Sequence, residues 1–247
     1  GKRYVFVREK EELTLVKNAN YIITDSQDTS LELEKYVSKK IKNIKDLTPY
    51  DSRQDFGISQ SLPVQKILVP IDGLDGATFR FVVEQLALYM EKNEFVRVHL
   101  FTRLGNAELY DMILNRVRQI LVLNGYDPGL AEEPISIGES ENRFYEFEDK
   151  QKIFLEQCVD ELSVSKCIRE QRIIVDLRTN PDVYLQISGI SVGIPQIVGH
   201  KTQYVKHNRN GYFLSEKNRL NEVIAYYLES QKNWNNAMIE AYEIGKI

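Results

Sequence analysis

The chain has 247 residues, 43% hydrophobic and 28% charged. That balance fits one large or two small folded domains and excludes a disordered, collagen-like or disulfide-scaffold protein. The 32 Lys and Arg against 36 Asp and Glu leave a net charge of −4, so no global basic field exists to hold nucleic acid.

Residues Tyr4 to Val7 are apolar and precede a charged stretch with helical spacing at Leu13 and Val16. Tyr21 to Thr24 reads as a short buried strand, and Asp28, Thr29 or Ser30 would cap a helix after it. The Ser-, Asp- and Gln-rich stretch from Pro49 to Pro63, broken by Gly57, reads as a linker. Strands are expected at Lys66–Ile71 and Phe95–Phe101. A helical stripe follows each: Phe79, Val82, Val83 and Leu86, then Leu109, Met112, Ile113, Val117, Ile120 and Leu121. Weaker units are expected around Pro134–Gly138 and Ile153–Val159. The cleanest unit is a strand from Arg172 to Leu177, a helix from about Asp182 to Val192 and a strand from Pro195 to Val198. Two helices close the chain, one carrying Leu220, Val223, Ile224, Tyr227 and Leu228, the other Trp234, Met238 and Ala241. Each parallel crossover needs a helix, so this alternation predicts an α/β fold with a doubly wound, mostly parallel sheet.

Most chemistry-bearing patterns are missing. There is no G-x-S-x-G, H-E-x-x-H, Walker A or G-x-G-x-x-G. Cys158 and Cys167 form no C-x-x-C pair and read as buried thiols of a reducing compartment. His99 lies in an apolar strand and reads as a core residue. His200 and His207 lack partners at ligand spacing, so no metal site is expected. No apolar run approaches the roughly 20 residues that span a bilayer. No signal-peptide pattern follows Gly1, which reads as a tag remnant or the start of a piece of something longer. The turn Asp72 to Gly76 sits where a phosphate could be cradled. Its two carboxylates, and the lack of any Lys or Arg between Lys66 and Arg80, favour a plain turn.

Lys35, Lys39, Lys40, Lys42 and Lys45 place five cations within eleven residues. They read either as a basic surface for anionic lipid or an acidic partner, or as a solvated helix face. From Asp176 onward a strand ends in a polar loop with Arg178, Thr179 and Asn180. Pro181 suits the first helical turn, and the helix beyond it would aim free amides at the crevice past the strand ends. Arg178, Thr179, Asn180, Asp182 and Ser188 are therefore the candidate ligand-contacting residues. Ordinary loop capping is the competing reading.

Gly193-Ile194-Pro195 with its strand, and Asn210-Gly211 downstream, resemble the C-terminal domain of family 4 glycosyltransferases with the GT-B fold. Asn18 to Ser26 resembles the last unit of that family's first domain. The family's Glu-x7-Glu pair, counted back from Gly193, falls on Asn180 and Ser188, neither of which supplies a carboxylate. Where the family has cations for the diphosphate, this chain has Asp72 and Asp75. More specifically, Thr48 to Arg53 with Gly57 and Gln60, Asp182 to Gln196, and Tyr227 with Asn233-Trp234-Asn235 resemble the glycosyltransferase-like Asp family, the first of three Asp components of the accessory Sec system in Gram-positive bacteria.

That resemblance implies a GT-B, Rossmann-like organisation. Residues 1–48 would end a first domain, 49–65 link, 66–231 form the nucleotide-sugar-binding-like domain, and 232–247 return toward the first domain. Family members are about twice this length, so the chain would be their C-terminal half. The resemblance also implies a cytoplasmic export factor with no catalytic residues and no cofactor, peripheral at the inner face of the membrane if the lysines bind lipid. Its partners would be the other two Asp proteins, the accessory Sec motor ATPase and a glycosylated serine-rich-repeat adhesin. An active GT-B glycosyltransferase using Asp176 or Asp182 is the alternative.

Overall fold

The computed structural model describes residues 4–6, 21–24, 40–43, 65–93, 95–103, 107–133, 142–147, 151–157, 164, 167–215 and 219–245. The chain divides into two compact units, Gly1–Gln54 and Asp55–Ile247.

In the first unit, β1 (Tyr4–Phe6), β2 (Tyr21–Thr24) and β3 (Lys40–Asn43) form a parallel sheet in that order. Lys40 and Lys42 are thus on a strand and not on a helix face: residues 40–43 pair in register with Tyr21–Thr24, and ladder hydrogen bonding overrides a lysine-rich composition. Lys35, Lys39 and Lys45, the helix expected after Asp28 and the linker from Pro49 to Pro63 lie outside the described residues.

The second unit is built on β4 (Gln65–Pro70), β5 (Val96–Thr102), β6 (Gly129–Glu133), β7 (Asn142–Phe147), β8 (Gln151–Gln157), β9 (Ile173–Asp176), β10 (Gln196–Val198) and β11 (Gly211–Phe213). Their order is β11-β10-β9-β4-β5-β8-β7-β6. The six strands from β11 to β8 are mutually parallel, as the alternation predicts. The edge differs from expectation. β6, β7 and β8 form two antiparallel ladders; for β7 and β8, the three residues between Phe147 and Gln151 are too few for the crossover that parallel pairing requires.

Helices α1 (Gly76–Glu91), α2 (Ala107–Leu123) and α4 (Leu220–Leu228) cover one face of this sheet, burying Val82, Val83, Leu86, Val117, Ile120, Leu121, Val223 and Ile224 against Ile67, Val69, Val98, Leu100, Ile173 and Val175. On the other face, α3 (Val183–Ser191) and the turn at 167–169 close over Leu68, Phe101 and Ile174 through Leu185, Val192, Ile194, Cys167 and Ile168. The alternation of consecutive β4 residues between the two clusters is the period-2 signature of a strand buried on both sides.

The closing helix α5 (Gln231–Gly245) packs on α3 and α4. Trp234, Ala237, Met238 and Ala241 are buried. The indole N–H of Trp234 donates to the Arg172 carbonyl at 2.7 Å, and the Arg172 guanidinium sits 4.4 Å from its ring centroid. Gly193 makes the contact with α5 possible: its φ of +77° is left-handed, and a Cβ there would lie 2.8 Å from Met238 and Tyr242. His99 is a core residue, stacked on Phe154 with ring centroids 5.0 Å apart. Its Nδ1 meets Glu156 Oε1 at 2.5 Å, and the Cys167 thiol donates to the other oxygen of Glu156 at 2.7 Å. Burial raises the affinity of Glu156 for its proton, yet the bonds from His99 and Cys167 and the charge of Lys66 outweigh it, so the carboxyl titrates below the usual range.

Candidate crevice at the carboxyl ends of the strands

From β4 the chain proceeds outward in both directions, to β5 and β8 on one side and to β9, β10 and β11 on the other. The topological switch point therefore lies between β4 and β9, and open α/β sheets bind ligands in the crevice beyond the carboxyl ends at such a point. Three segments converge there: Ile71–Asp75 after β4, Thr102–Arg103 at the end of β5, and Leu177–Asp182 after β9.

Most polar groups of these segments are spent on neighbours, although Nε and Nη2 of Arg103 make no hydrogen bond among the described residues. Asp75 is the N-cap of α1 and accepts from the amides of Ala77 and Thr78. Asp72 accepts from the Thr102 hydroxyl at 2.5 Å and from the Arg103 amide at 2.6 Å, which ties the β4 turn to the end of β5. The Arg103 guanidinium reaches Asp182 at 3.0 Å and lies 5.8 Å from the Tyr184 ring centroid. Asp182 caps α3, its Oδ1 accepting from the amides of Tyr184 and Leu185. Arg178 grips Asp176 through two parallel bonds of 2.8 and 2.7 Å, with side chains 7% and 0% exposed. Burial disfavours the charged Arg178, but Asp176, with Asp182 and Asp72 behind it, overcomes this and raises its pKa above the ordinary value.

Three aspartates thus face two arginines, and the mouth carries no surplus of positive charge for a diphosphate. Asp176 and Asp182, the two acids considered for an active transferase, have their oxygens engaged.

The expected site residues are only partly brought together. Arg178 and Asp182 flank the crevice, and Thr179 and Asn180 are exposed beside them. Ser188 is instead buried within α3, 7% exposed, with no hydrogen-bond partner for its hydroxyl among the described residues. Pro181 precedes the helix and does not begin it. The cap is Asp182, with extended φ and ψ of −70° and 112°, and it occupies the amides expected to be free. Gly189 fulfils the expected close approach, since a Cβ there would lie 2.7 Å from Gln196 and Ile174. Sequence reasoning missed Thr102 and Arg103. The signal was present, because they end a parallel strand next to the switch point, but they lie about 75 residues from the segment they neutralise.

Among the described residues no group of three or more His, Cys, Asp or Glu could hold a metal ion, and no helix is long and apolar enough to cross a membrane.

Comparison with known proteins gives a consistent picture. The chain is 28% identical to the first Asp protein of the accessory Sec system of Streptococcus gordonii, covering 98% of this chain and 47% of that protein. It is 30% identical to the protein of the same description from Staphylococcus aureus, covering 96% and 46%. The chain spans about half the length of the curated relatives it matches. A solved glycosylation-associated protein (Gap123) complex from Streptococcus agalactiae superposes with a TM-score of 0.71 at 24% identity, covering 97% of this chain and 46% of that one. A structure of accessory secretory proteins 1, 2 and 3 of Streptococcus pneumoniae gives 0.63 at 21%, covering 99% and 45%. A solved structure of TarM from S. aureus gives 0.52 at 13%, covering 98% and 47%, and the fold is of the expected GT-B-like α/β class. The family described as the first Asp protein of the accessory Sec system matches residues 6–247, and the chain belongs to it.

Proposed function

We propose that this chain is the glycosyltransferase-like part of a non-catalytic export factor. Together with the two other Asp proteins, it binds a glycosylated serine-rich-repeat adhesin and delivers it to the accessory Sec motor ATPase and channel on the cytoplasmic side of the membrane. The observation that carries this reading is the crevice itself. A donor site for a nucleotide sugar needs uncompensated cations at the switch point, and here Arg103 and Arg178 are each committed to an aspartate. The same crevice keeps Thr179 and Asn180 exposed at its rim, and hydroxyl and amide groups of this kind suit neutral sugar hydroxyls better than phosphate. The similar structures, one named as a complex and one as accessory secretory proteins 1, 2 and 3 together, support work in an assembly. The lysine segment, of which Lys40 and Lys42 lie on β3, is the proposed contact for an anionic membrane surface.

The test uses the full-length protein. UDP-GlcNAc should be neither hydrolysed nor transferred, and should give no thermal shift at concentrations that saturate active transferases. A glycosylated serine-rich peptide should be retained by the wild type and retained less by Thr179→Ala with Asn180→Ala. Turnover abolished by Asp176→Asn or Asp182→Asn would establish the transferase reading instead.

A further inference from the structure

The two arginines of the crevice are held very differently. Arg178 meets Asp176 through two parallel hydrogen bonds, with side chains 7% and 0% exposed. The side chains of Arg103 and Asp182 are 36% and 27% exposed. Nη2 of Arg103 lies 3.0 Å from Asp182 Oδ2, yet neither it nor Nε makes a hydrogen bond among the described residues. The first pair is locked by two charge-assisted bonds. The second is a contact of charges half in water, which holds weakly.

Strand order makes the weak pair a bridge. β4 lies between β5 and β9, so at ~4.8 Å per strand spacing the ends of β5 and β9 stand about 10 Å apart. Arg103 follows the end of β5, and Asp182 caps the helix after β9. The Arg103 side chain therefore reaches across the carboxyl end of β4, over the switch point, to meet Asp182. Both ends of the crossing are fastened. The Arg103 amide donates to Asp72 at 2.6 Å, and Asp182 Oδ1 accepts the amides of Tyr184 and Leu185. The part left to swing is the Arg103 side chain, whose guanidinium rests 5.8 Å from the Tyr184 ring centroid. Thr179 and Asn180 are exposed two and three residues before Asp182, so the crossing ends at the rim of the crevice.

The surrounding charges keep the cost of opening small. Asp182 and Asp72 act on Arg178 as well as Asp176 does, so Asp182 keeps a cation beside it when Arg103 leaves. The departing guanidinium is already partly solvated. His200 and Lys201, exposed after β10 at the same end, are further cations there and offer Arg103 no competing anion. Salt screens a pair as exposed as Arg103–Asp182, whereas the buried Arg178–Asp176 pair is shielded from it.

We infer that the Arg103 side chain is a strap across the crevice: paired with Asp182 it covers the space between the β4 turn and the Thr179–Asn180 rim, and it swings into solvent to admit a neutral sugar. This rests on the sugar-binding reading of the crevice proposed above. A neutral ligand gains nothing from the ion pair, so whatever weakens the pair strengthens binding. The test titrates the full-length protein with an uncharged serine-rich peptide carrying O-linked N-acetylglucosamine. Sodium chloride is varied from about 0.01 to 1 M, over which the screening length shortens from ~30 to ~3 Å. Wild-type affinity should rise about two- to fivefold with salt, the range set by a half-exposed ion pair. Arg103→Gln should bind at the high-salt wild-type level throughout. Lys66→Gln, which breaks the Lys66–Glu170 pair elsewhere, should behave as the wild type. Salt-independent binding by the wild type, a measurement that needs no variant to fold, overturns the strap and leaves the crevice reading standing. Weaker binding by Arg103→Gln with an unchanged melting temperature also overturns it and makes Arg103 a contact of the ligand. Absence of peptide binding by the wild type and Arg103→Gln alike, at every salt, overturns the sugar-binding reading and this proposal with it.

Discussion

Replacing Arg178 with methionine tests whether the crevice is filled by its own charges. In the wild type, Asp176 is fully buried and both of its oxygens receive bonds from the Arg178 side chain. Removing one partner of a buried pair leaves an uncompensated charge, at about 3–5 kcal/mol. A domain stable by about 5–15 kcal/mol would lose a large fraction of its stability. At ~2–4 °C per kcal/mol for a unit of this size, the melting temperature should fall by about 10 °C. Pairing Arg178→Met with Asp176→Leu removes both charges and should recover most of the loss, because an apolar pair of similar volume is close to neutral in such sites.

The assay is urea unfolding followed by tryptophan fluorescence. The chain has a single tryptophan, Trp234, buried in the larger unit, so the signal reports that unit alone. If Arg178 were a ligand-binding cation and not a structural one, Arg178→Met would keep the wild-type midpoint and abolish UDP binding. A loss below about 1 kcal/mol, with no recovery in the double variant, refutes the reasoning.

Gly193→Ala forces a Cβ into a left-handed backbone and within 2.8 Å of Met238 and Tyr242, so it should destabilise the unit by about 2 kcal/mol in the same assay. Glu156 titrates below its ordinary 4.5 in the folded protein, so its contribution is fully present above pH 4.5 and fades as the pH drops through the lower folded value. Glu156→Gln should therefore flatten the urea midpoint below pH 4.5, and an unchanged acid limb would exclude Glu156 as its source.

The fold was readable because its cause is local. Ile67 to Ile71 and Ile173 to Val175 are apolar runs bounded by turns, and the stripes of α1 and α2 repeat at helical spacing. The antiparallel edge was not readable, since the three-residue link after Phe147 carries no turn dipeptide to announce a hairpin. At the crevice, the sequence shows directly that Asn180 and Ser188 carry no carboxylate. The compensation of Arg178 could be seen two residues away in Asp176. The pairing of Arg103 with Asp182 could not, because strand order and not sequence distance brings β5 beside that loop. Ser188 shows the converse limit: a motif position specifies where a residue falls in a helix, while the packing of α3 between sheet and α5 decides that it is buried.

The two ends of the sheet then account for each other. An enzyme of this architecture keeps its unsatisfied groups at the carboxyl end, where substrate completes them. Here that end is closed by Asp72 with Thr102, Asp182 with Arg103 and Asp176 with Arg178, and a ligand that needed those groups would first have to break bonds already made. The amino end, which in an enzyme needs only to be inert, holds Leu123 and Val122 in water. On the proposed function, contact with a sugar at the carboxyl end falls to the exposed rim of Thr179 and Asn180 and not to its paired charges.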